Sequence, residues 1–183
     1  KATYVADVGQ NQMWLARYAG FHQPNSHVSS GGLGTMGFSV PAAMGAAIGR
    51  PDRETWAIAG DGGFQMTSQE LMTLVQDRIP VKIALFDNKK LGMIRQWQEI
   101  FYAENYHSSH LPGPDFVKLA EAYGIPAFKV STANEVDPAI RAAQAVDGPA
   151  LIWFEIEQEQ NVFPMMPAGK GLSDLIETWG PEE

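Results

Sequence analysis

The sequence predicts an α/β fold, a three-layer sandwich built on a mainly parallel central sheet. Three observations carry this expectation. Short apolar runs alternate with stretches of helical periodicity along the whole chain, the pattern of successive βαβ units. Two of the runs, Thr55 to Ala59 (TWAIA) and Val81 to Phe86 (VKIALF), are apolar nearly throughout, as strands covered on both faces are. Each stops abruptly at polar or glycine residues, Gly60-Asp61-Gly62-Gly63 and Asp87-Asn88. The carboxyl ends of parallel strands border the crevice where ligands bind in open α/β sheets.

The elements follow in order. Thr3 to Val8 reads as the first strand, and Gln12 to Tyr18 as a helix. The polar stretch His22 to Ser30 reads as loop and leads into Gly31-Gly32-Leu33-Gly34-Thr35-Met36-Gly37. A helix of small residues follows, Ser39 to Ile48, able to pack closely. After the strand at Thr55 comes a helix over Met66 to Gln76, then the strand at Val81. Met93 to Tyr102 is helical and rich in aromatics. Asp115 to Tyr123 is amphipathic and stops at Gly124. Ala127 to Val130 is a short strand, Val136 to Ala145 a helix, and Ala150 to Ile156 a last strand. The tail, about 160–183, holds Pro, Met and Gly and reads as an ordered, lid-like loop.

Size and composition exclude several roles. The 183 residues suit a single domain. A net charge of −8 offers no basic patch for nucleic acid. There are no cysteines, hence no disulfide, thiolate nucleophile or zinc–cysteine site. The longest apolar run, Val40 to Gly49, is far short of the ~20 residues that span a bilayer. It is also internal, so it is no signal peptide. The chain opens at Lys1 without an initiator methionine, and a fragment of a longer polypeptide is expected.

Between the two central strands lies one βαβ unit, with Asp61 and Asn88 at its polar ends, 27 positions apart, close to the roughly 30 residues such a unit needs. Glycines let a backbone approach a phosphate, and a helix N-terminus attracts anions. Asp61 is itself an anion, so a cation between it and the phosphate makes the arrangement sensible. Asp61 and Asn88 carry hard oxygens, which Mg²⁺ takes alongside substrate phosphates. The pair points to a metal–diphosphate site. Taken singly, Gly-Asp-Gly is also a common turn, Asp61 an N-cap and Asn88 a turn cap.

The glycine-rich loop has a rival reading. Gly32, Gly34 and Gly37 spell G-x-G-x-x-G, and Asp52 lies 20 residues after Gly32, where a dinucleotide's ribose acid would sit. That motif needs a preceding strand, which His22 to Ser30 does not resemble, and it leaves Asp61 and Asn88 unexplained. A purely structural glycine turn is the third option. Met36, Met93, Met165, Met166 and Trp97 read individually as core fillers. The four histidines lack the spacing of a helical metal pair and read as exposed loop residues. Glu155, Glu157 and Glu159 read as a solvated strand end.

Gly-Asp-Gly followed by Asn at this spacing resembles the motif of thiamine-diphosphate enzymes. Val8-Gly9-Gln10-Asn11-Gln12-Met13-Trp14, Gly31 to Phe38 (GGLGTMGF), Leu91 to Gln98 (LGMIRQWQ) and Pro164 to Gly169 (PMMPAG) resemble the acetohydroxyacid synthase (acetolactate synthase) family. The resemblance runs nearly end to end and favours the biosynthetic, FAD-containing catalytic large subunit. It covers only the C-terminal, diphosphate-binding domain of that family's three-domain chain.

The resemblance implies a metal held by the Asp61 carboxylate, the Asn88 amide oxygen and the Lys90 backbone carbonyl, completed by diphosphate oxygens and water. Gln10, Asn11 and the amides of Gly62 and Gly63 would contact the diphosphate, and Gly9 and Met93 would also contact the cofactor. The Gly34 carbonyl would accept from the pyrimidine 4′-amino group, and Met36 would hold the cofactor bent. Met93 and Trp97 would line the substrate pocket, and the tail would fold over it. No catalytic residue is expected in this chain, because the family's activating glutamate comes from the N-terminal domain of a neighbouring subunit. The implied reaction decarboxylates pyruvate and joins the fragment to a second 2-keto acid, pyruvate or 2-ketobutyrate, in branched-chain amino-acid biosynthesis. Implied partners are a second catalytic subunit, in a dimer or tetramer, and a regulatory small subunit, with no nucleic acid or membrane. The implied location is cytoplasmic in bacteria and organellar in eukaryotes. A non-catalytic module, or another thiamine-diphosphate decarboxylase, carboligase or oxidase, are the alternatives. Two positions depart from the family pattern: Asn11 stands where histidine is usual, and Asp87-Asn88 where Asn-Asn is usual. Asp87 either adds charge beside the metal or caps the turn.

Overall fold

The computed structural model describes residues 1–178. Six strands form one sheet: β1 (Ala2–Ala6), β2 (His27–Ser29), β3 (Glu54–Gly60), β4 (Val81–Asp87), β5 (Ala127–Val130) and β6 (Ala150–Glu155). Their order is β2-β1-β3-β4-β6-β5, and every pairing is parallel. All strands therefore point their carboxyl ends to the same edge. β3 and β4, flanked on both sides and buried on both faces, account for the apolar runs. Lys82, within the second run, is buried too. Its ammonium donates to the carbonyls of Val146 at 2.7 Å and Gly148 at 2.6 Å, while burial holds its pKa below the usual lysine value.

Helices cover both faces. On one, α2 (Ser39–Gly49), α3 (Asp61–Met66), α4 (Leu71–Gln76) and α6 (Phe116–Ala122) pack over Val5, Ala57, Ile83 and Leu151. On the other, α1 (Gln10–Tyr18) and α7 (Val136–Ala145) cover Ile58, Ala84, Ile152 and Phe154. α5 (Gly92–Phe101) follows β4 at the carboxyl edge. The chain leaves β1 toward β2 and then crosses back to β3. The order thus reverses between β1 and β3, the switch point where such sheets open a crevice.

Several expected bounds shift. β1 stops at Ala6 because the Asp7 carboxylate ends it, accepting from the Val8 N–H at 2.9 Å. α1 begins two residues earlier than expected, at Gln10. His27–Ser29, read as loop, is an edge strand on β1, and His27 stacks on Phe21 with ring centroids 5.0 Å apart. The single helix expected over Met66 to Gln76 is two. α3 starts at Asp61 itself and ends at Met66, and a 3₁₀ turn at Ser68–Glu70 precedes α4. The break has a tertiary cause: Thr67 leaves helical geometry and its hydroxyl donates to the Gly37 carbonyl at 3.0 Å.

Phe64 anchors the short α3. It is fully buried and meets Phe116 edge-on at 5.7 Å, which meets Trp153 edge-on at 5.5 Å. Phe64→Leu keeps an apolar side chain but loses the edge-on contact, and is expected to destabilise by about 1–2 kcal/mol in urea unfolding.

The tail runs back across the carboxyl edge. Met165 and Ile176 pair as an isolated bridge, and a 3₁₀ turn occupies Leu172–Asp174. Residues 179–183 of the expected lid lie outside the described residues. Among the described residues, no helix is long and apolar enough to cross a membrane.

Candidate functional site

A cleft of about 290 Å³ opens at the carboxyl edge. It is walled by the segments after β1 (Val8 to Trp14), β3 (Gly60 to Gly63) and β4 (Asn88 to Ile94), with Gly34 and Met36 after β2, Trp97 and Ile156. Every residue singled out as a cofactor, metal or substrate contact lines this one space: Gly9, Gln10, Asn11, Gly34, Met36, Asp61, Gly62, Gly63, Asn88, Lys90, Met93 and Trp97.

Asp61 dominates the electrostatics. The residue is 2% exposed, and its Oδ2 is buried with no hydrogen-bond partner. A bare buried carboxylate oxygen is costly unless something absent from the protein satisfies it. Burial first, then the neighbouring Asp87 carboxyl, push its pKa up to about 7. A cation beside Oδ2 would reverse that penalty.

Asn88 follows β4 and is buried. Its Nδ2 donates to Gln10 Oε1 at 3.3 Å, and its Oδ1 accepts from the Lys90 N–H at 3.1 Å. Lys89 turns the chain here with a φ of 57°. Lys90 pairs with His110 in an isolated bridge whose hydrogen bonds use the Leu91 N–H and the Lys89 carbonyl. The Lys90 carbonyl takes no part in that pair. Carboxylate, amide oxygen and peptide carbonyl would together make an oxygen-only donor set, the kind that suits a hard cation. Among the described residues, no cluster of three His, Cys, Asp or Glu side chains offers an alternative metal site.

The two departures acquire definite surroundings. Asn11 Nδ2 donates to the Ile58 carbonyl at 3.1 Å, so its donor ties α1 to β3 across the switch point. Asp87 Oδ1 accepts from the Lys89 N–H at 2.9 Å, and Oδ2 accepts from the Trp153 indole at 3.0 Å. It therefore caps the turn and also adds charge beside Asp61.

The glycine loop is held by a residue that the sequence reading did not single out. Asp7 is fully buried. Oδ1 accepts from the Gly37 N–H at 3.0 Å and Oδ2 from the Ser39 N–H at 2.9 Å. These bonds join the end of β1 to the start of α2 and fix the Gly34–Met36 segment between them. Gly34 and Gly37 have φ values of +64° and +85°, which glycine adopts without strain. A polar residue ending an apolar strand two positions before a glycine is the signal that could have marked Asp7. The dinucleotide reading meets a contrary geometry. A short strand does precede the loop, but Asp52 sits before β3, at the opposite edge of the sheet. There it is exposed and paired to Arg50 at 3.3 Å.

Met36 and Met93 are half-buried on the cleft wall and Trp97 is 46% exposed at its mouth. Met165 is buried, its sulfur 3.5 Å from Gln96 Nε2, while Met166 is half exposed. Arg95 and Gln96, both buried and both unmarked in the sequence reading, attach α5 to the tail. Arg95 Nη2 donates to the Glu159 carbonyl at 2.8 Å, and Nη1 to Glu99 at 2.9 Å. Glu159, read as solvated, also pairs with Lys90.

Comparison with known proteins agrees with this geometry. Residues 7–154 match the family model described as thiamine pyrophosphate enzyme, C-terminal TPP binding domain. The chain is 49% identical over 180 residues to the acetolactate synthase large subunit of Corynebacterium glutamicum, covering 95% of this chain and 29% of that protein. It is 49% identical over 180 residues to an acetolactate synthase of Mycobacterium avium, with the same coverage. To the acetolactate synthase isozyme 2 large subunit of Escherichia coli it is 42% identical over 174 residues, 94% of this chain and 32% of that protein. The chain thus spans about three-tenths of the length of these relatives. Matched over most of its length, the chain belongs to the thiamine pyrophosphate enzyme family, as a C-terminal TPP-binding domain.

Proposed function

We propose that this domain holds Mg²⁺ and the diphosphate of thiamine diphosphate in an acetolactate synthase. The observation that carries the reading is the partnerless buried Oδ2 of Asp61, in the cleft that Asn88 and Lys90 also line. Asp61, the Asn88 amide oxygen and the Lys90 carbonyl would hold the metal. Gly9, Asn11 and the N–H groups of Gly62 and Gly63 would face the diphosphate, and Gln10, whose amide hydrogens are both engaged by Gln96 and Gln160, would border it. Those two N–H groups belong to the first turn of α3, whose donors have no partner within the helix. Gly34 and Met36 would orient the pyrimidine, and Met93 and Trp97 would border the 2-keto acid. When bound, the cofactor supplies the nucleophilic carbon and electron sink for decarboxylation and carboligation. The chain's own part is to bind, orient and exclude water.

The substrates under this reading are pyruvate and a second 2-keto acid, pyruvate or 2-ketobutyrate. The activating glutamate and the FAD site would lie in other domains of a longer chain, and assembly would be at least dimeric, with or without a regulatory small subunit. The similarity to acetolactate synthases over 95% of the chain supports this, as does the bacterial origin of those relatives for a cytoplasmic setting. The 183-residue chain by itself is expected to turn nothing over; acetolactate formed from pyruvate by the purified chain would refute this.

The test is calorimetric titration with thiamine diphosphate, with and without Mg²⁺, on wild type and Asp61→Ala in the full-length protein. Binding that needs Mg²⁺ and is lost in the variant supports the site. Absence of binding by wild type refutes it and favours a non-catalytic module. Product analysis with pyruvate then separates acetolactate from the acetaldehyde of a decarboxylase and the acetyl phosphate of an oxidase.

A further inference from the structure

We infer that Gln96 is a positioning residue: acting through Gln10, and together with the Lys90 N–H, it fixes which end of the Asn88 amide faces the metal. The inference rests on the proposed metal set of Asp61, Asn88 and Lys90.

Gln96 is 0% exposed, in the middle of α5. Its amide pairs at both ends with the backbone N–H and C=O of Val162. Nε2 donates to the Val162 carbonyl at 2.9 Å, and Oε1 accepts from the Val162 N–H at 2.9 Å. The flipped amide would set donor against donor and acceptor against acceptor, so its orientation is fixed. Oε1 has a second lone pair, and Gln10 Nε2 donates to it at 3.1 Å. The same Gln10 nitrogen donates to the Gln160 carbonyl at 3.1 Å. With its nitrogen held there, Gln10 turns Oε1 the other way, and Asn88 Nδ2 donates to that oxygen.

Asn88 is thereby gripped by its nitrogen, and its oxygen is the end left for a cation. Oδ1 already accepts one N–H, from Lys90, and keeps a lone pair. Reversed, the amide would aim N–H dipoles at a positive ion. All three side chains are buried, so a mismatched link is costly and each amide constrains the next. The polarity of one backbone unit in the tail therefore reaches a metal ligand 74 positions earlier in the chain.

A second account is that Gln96 merely anchors the tail. The two part company when Asn88 is replaced by aspartate, which presents an oxygen whichever way it is turned. The experiment is calorimetric measurement of Mg²⁺-dependent thiamine diphosphate binding by the full-length protein, with thermal unfolding in parallel. The proteins are wild type, Gln96→Met, Asn88→Asp and the double variant. Gln96→Met is expected to weaken Mg²⁺ binding about tenfold when residue 88 is Asn. In the Asn88→Asp background it should change binding by less than about twofold. Equal losses in both backgrounds, or no loss in either, would overturn the inference. Gln96→Glu gives a decision that does not depend on residue 88. It keeps an acceptor for Gln10 Nε2 and the Val162 N–H, so Mg²⁺ affinity should stay near wild type although stability falls. A loss matching that of Gln96→Met would overturn the inference as well. Wild-type protein whose binding ignores Mg²⁺ would instead sink the metal-site reading, and the inference with it.

Discussion

Asp61→Asn is expected to make the metal-free protein more stable above pH 7 and to remove its Mg²⁺-dependent cofactor binding. The two effects share one cause. The Asp61 carboxyl is buried, has a partnerless oxygen and faces Asp87, so its pKa stands near 7 instead of 3.8. Between those values the folded chain holds a proton that the unfolded chain has released. Stability therefore falls as pH rises through this window, and the full penalty remains at pH 8. Asparagine has the same shape and no charge, so it should recover about 2–4 kcal/mol at pH 8 and little at pH 4. It also removes the one carboxylate of the proposed metal set, and affinity should drop by about 100-fold or more. Thermal unfolding in a chelator at both pH values checks the first part, and calorimetry with Mg²⁺ the second. Because the cation displaces the proton, wild-type binding near pH 6 should release protons that the variant does not. A variant that binds as wild type does, or that gains nothing at pH 8, would contradict the account.

What could be read from the chain, and what could not, divides along physical lines. β3 and β4 announced themselves because central parallel strands are buried on both faces and therefore apolar along their length. β5 and α7 have the expected bounds, Ala127–Val130 and Val136–Ala145, since local signals at both ends agree with the fold. The cleft residues were legible for a topological reason: they sit at strand ends, where sequence punctuation and ligand crevice coincide. β2 escaped notice because three half-buried edge residues carry no apolar run. The break at Thr67 was hidden because its partner, the Gly37 carbonyl, is 30 positions away. Gln96 and Arg95 look like ordinary polar residues of a surface helix. Their meaning lies in partners in the tail 64 to 66 positions on, and no local pattern encodes that. The alternatives for Asp87 could not be separated by sequence either, because its second partner, Trp153, lies on the neighbouring strand β6.

Asp7 and Gly63 should prove energetically coupled, and their coupling explains why the loop under Met36 keeps its shape. Asp7→Ala leaves the Gly37 and Ser39 N–H groups buried without an acceptor. At about 1–3 kcal/mol for each, the loss should be about 3 kcal/mol or more. Gly63 faces the same carboxylate: a Cβ there would lie 2.2 Å from Asp7 Oδ1 and 2.6 Å from Cγ. Asp7 cannot step aside, because both its oxygens are engaged. Gly63→Ala alone should therefore be as damaging as Asp7→Ala, although alanine normally improves a helix by about 1 kcal/mol over glycine. In the Asp7→Ala background the obstruction is gone, and the helical preference should reassert itself. The second substitution is then expected to be neutral or mildly stabilising. Urea unfolding of the two single variants and the double variant measures this as a non-additive cycle. Equal costs for Gly63→Ala in both backgrounds would mean that the glycine serves the backbone or the cofactor and not the Asp7 clamp.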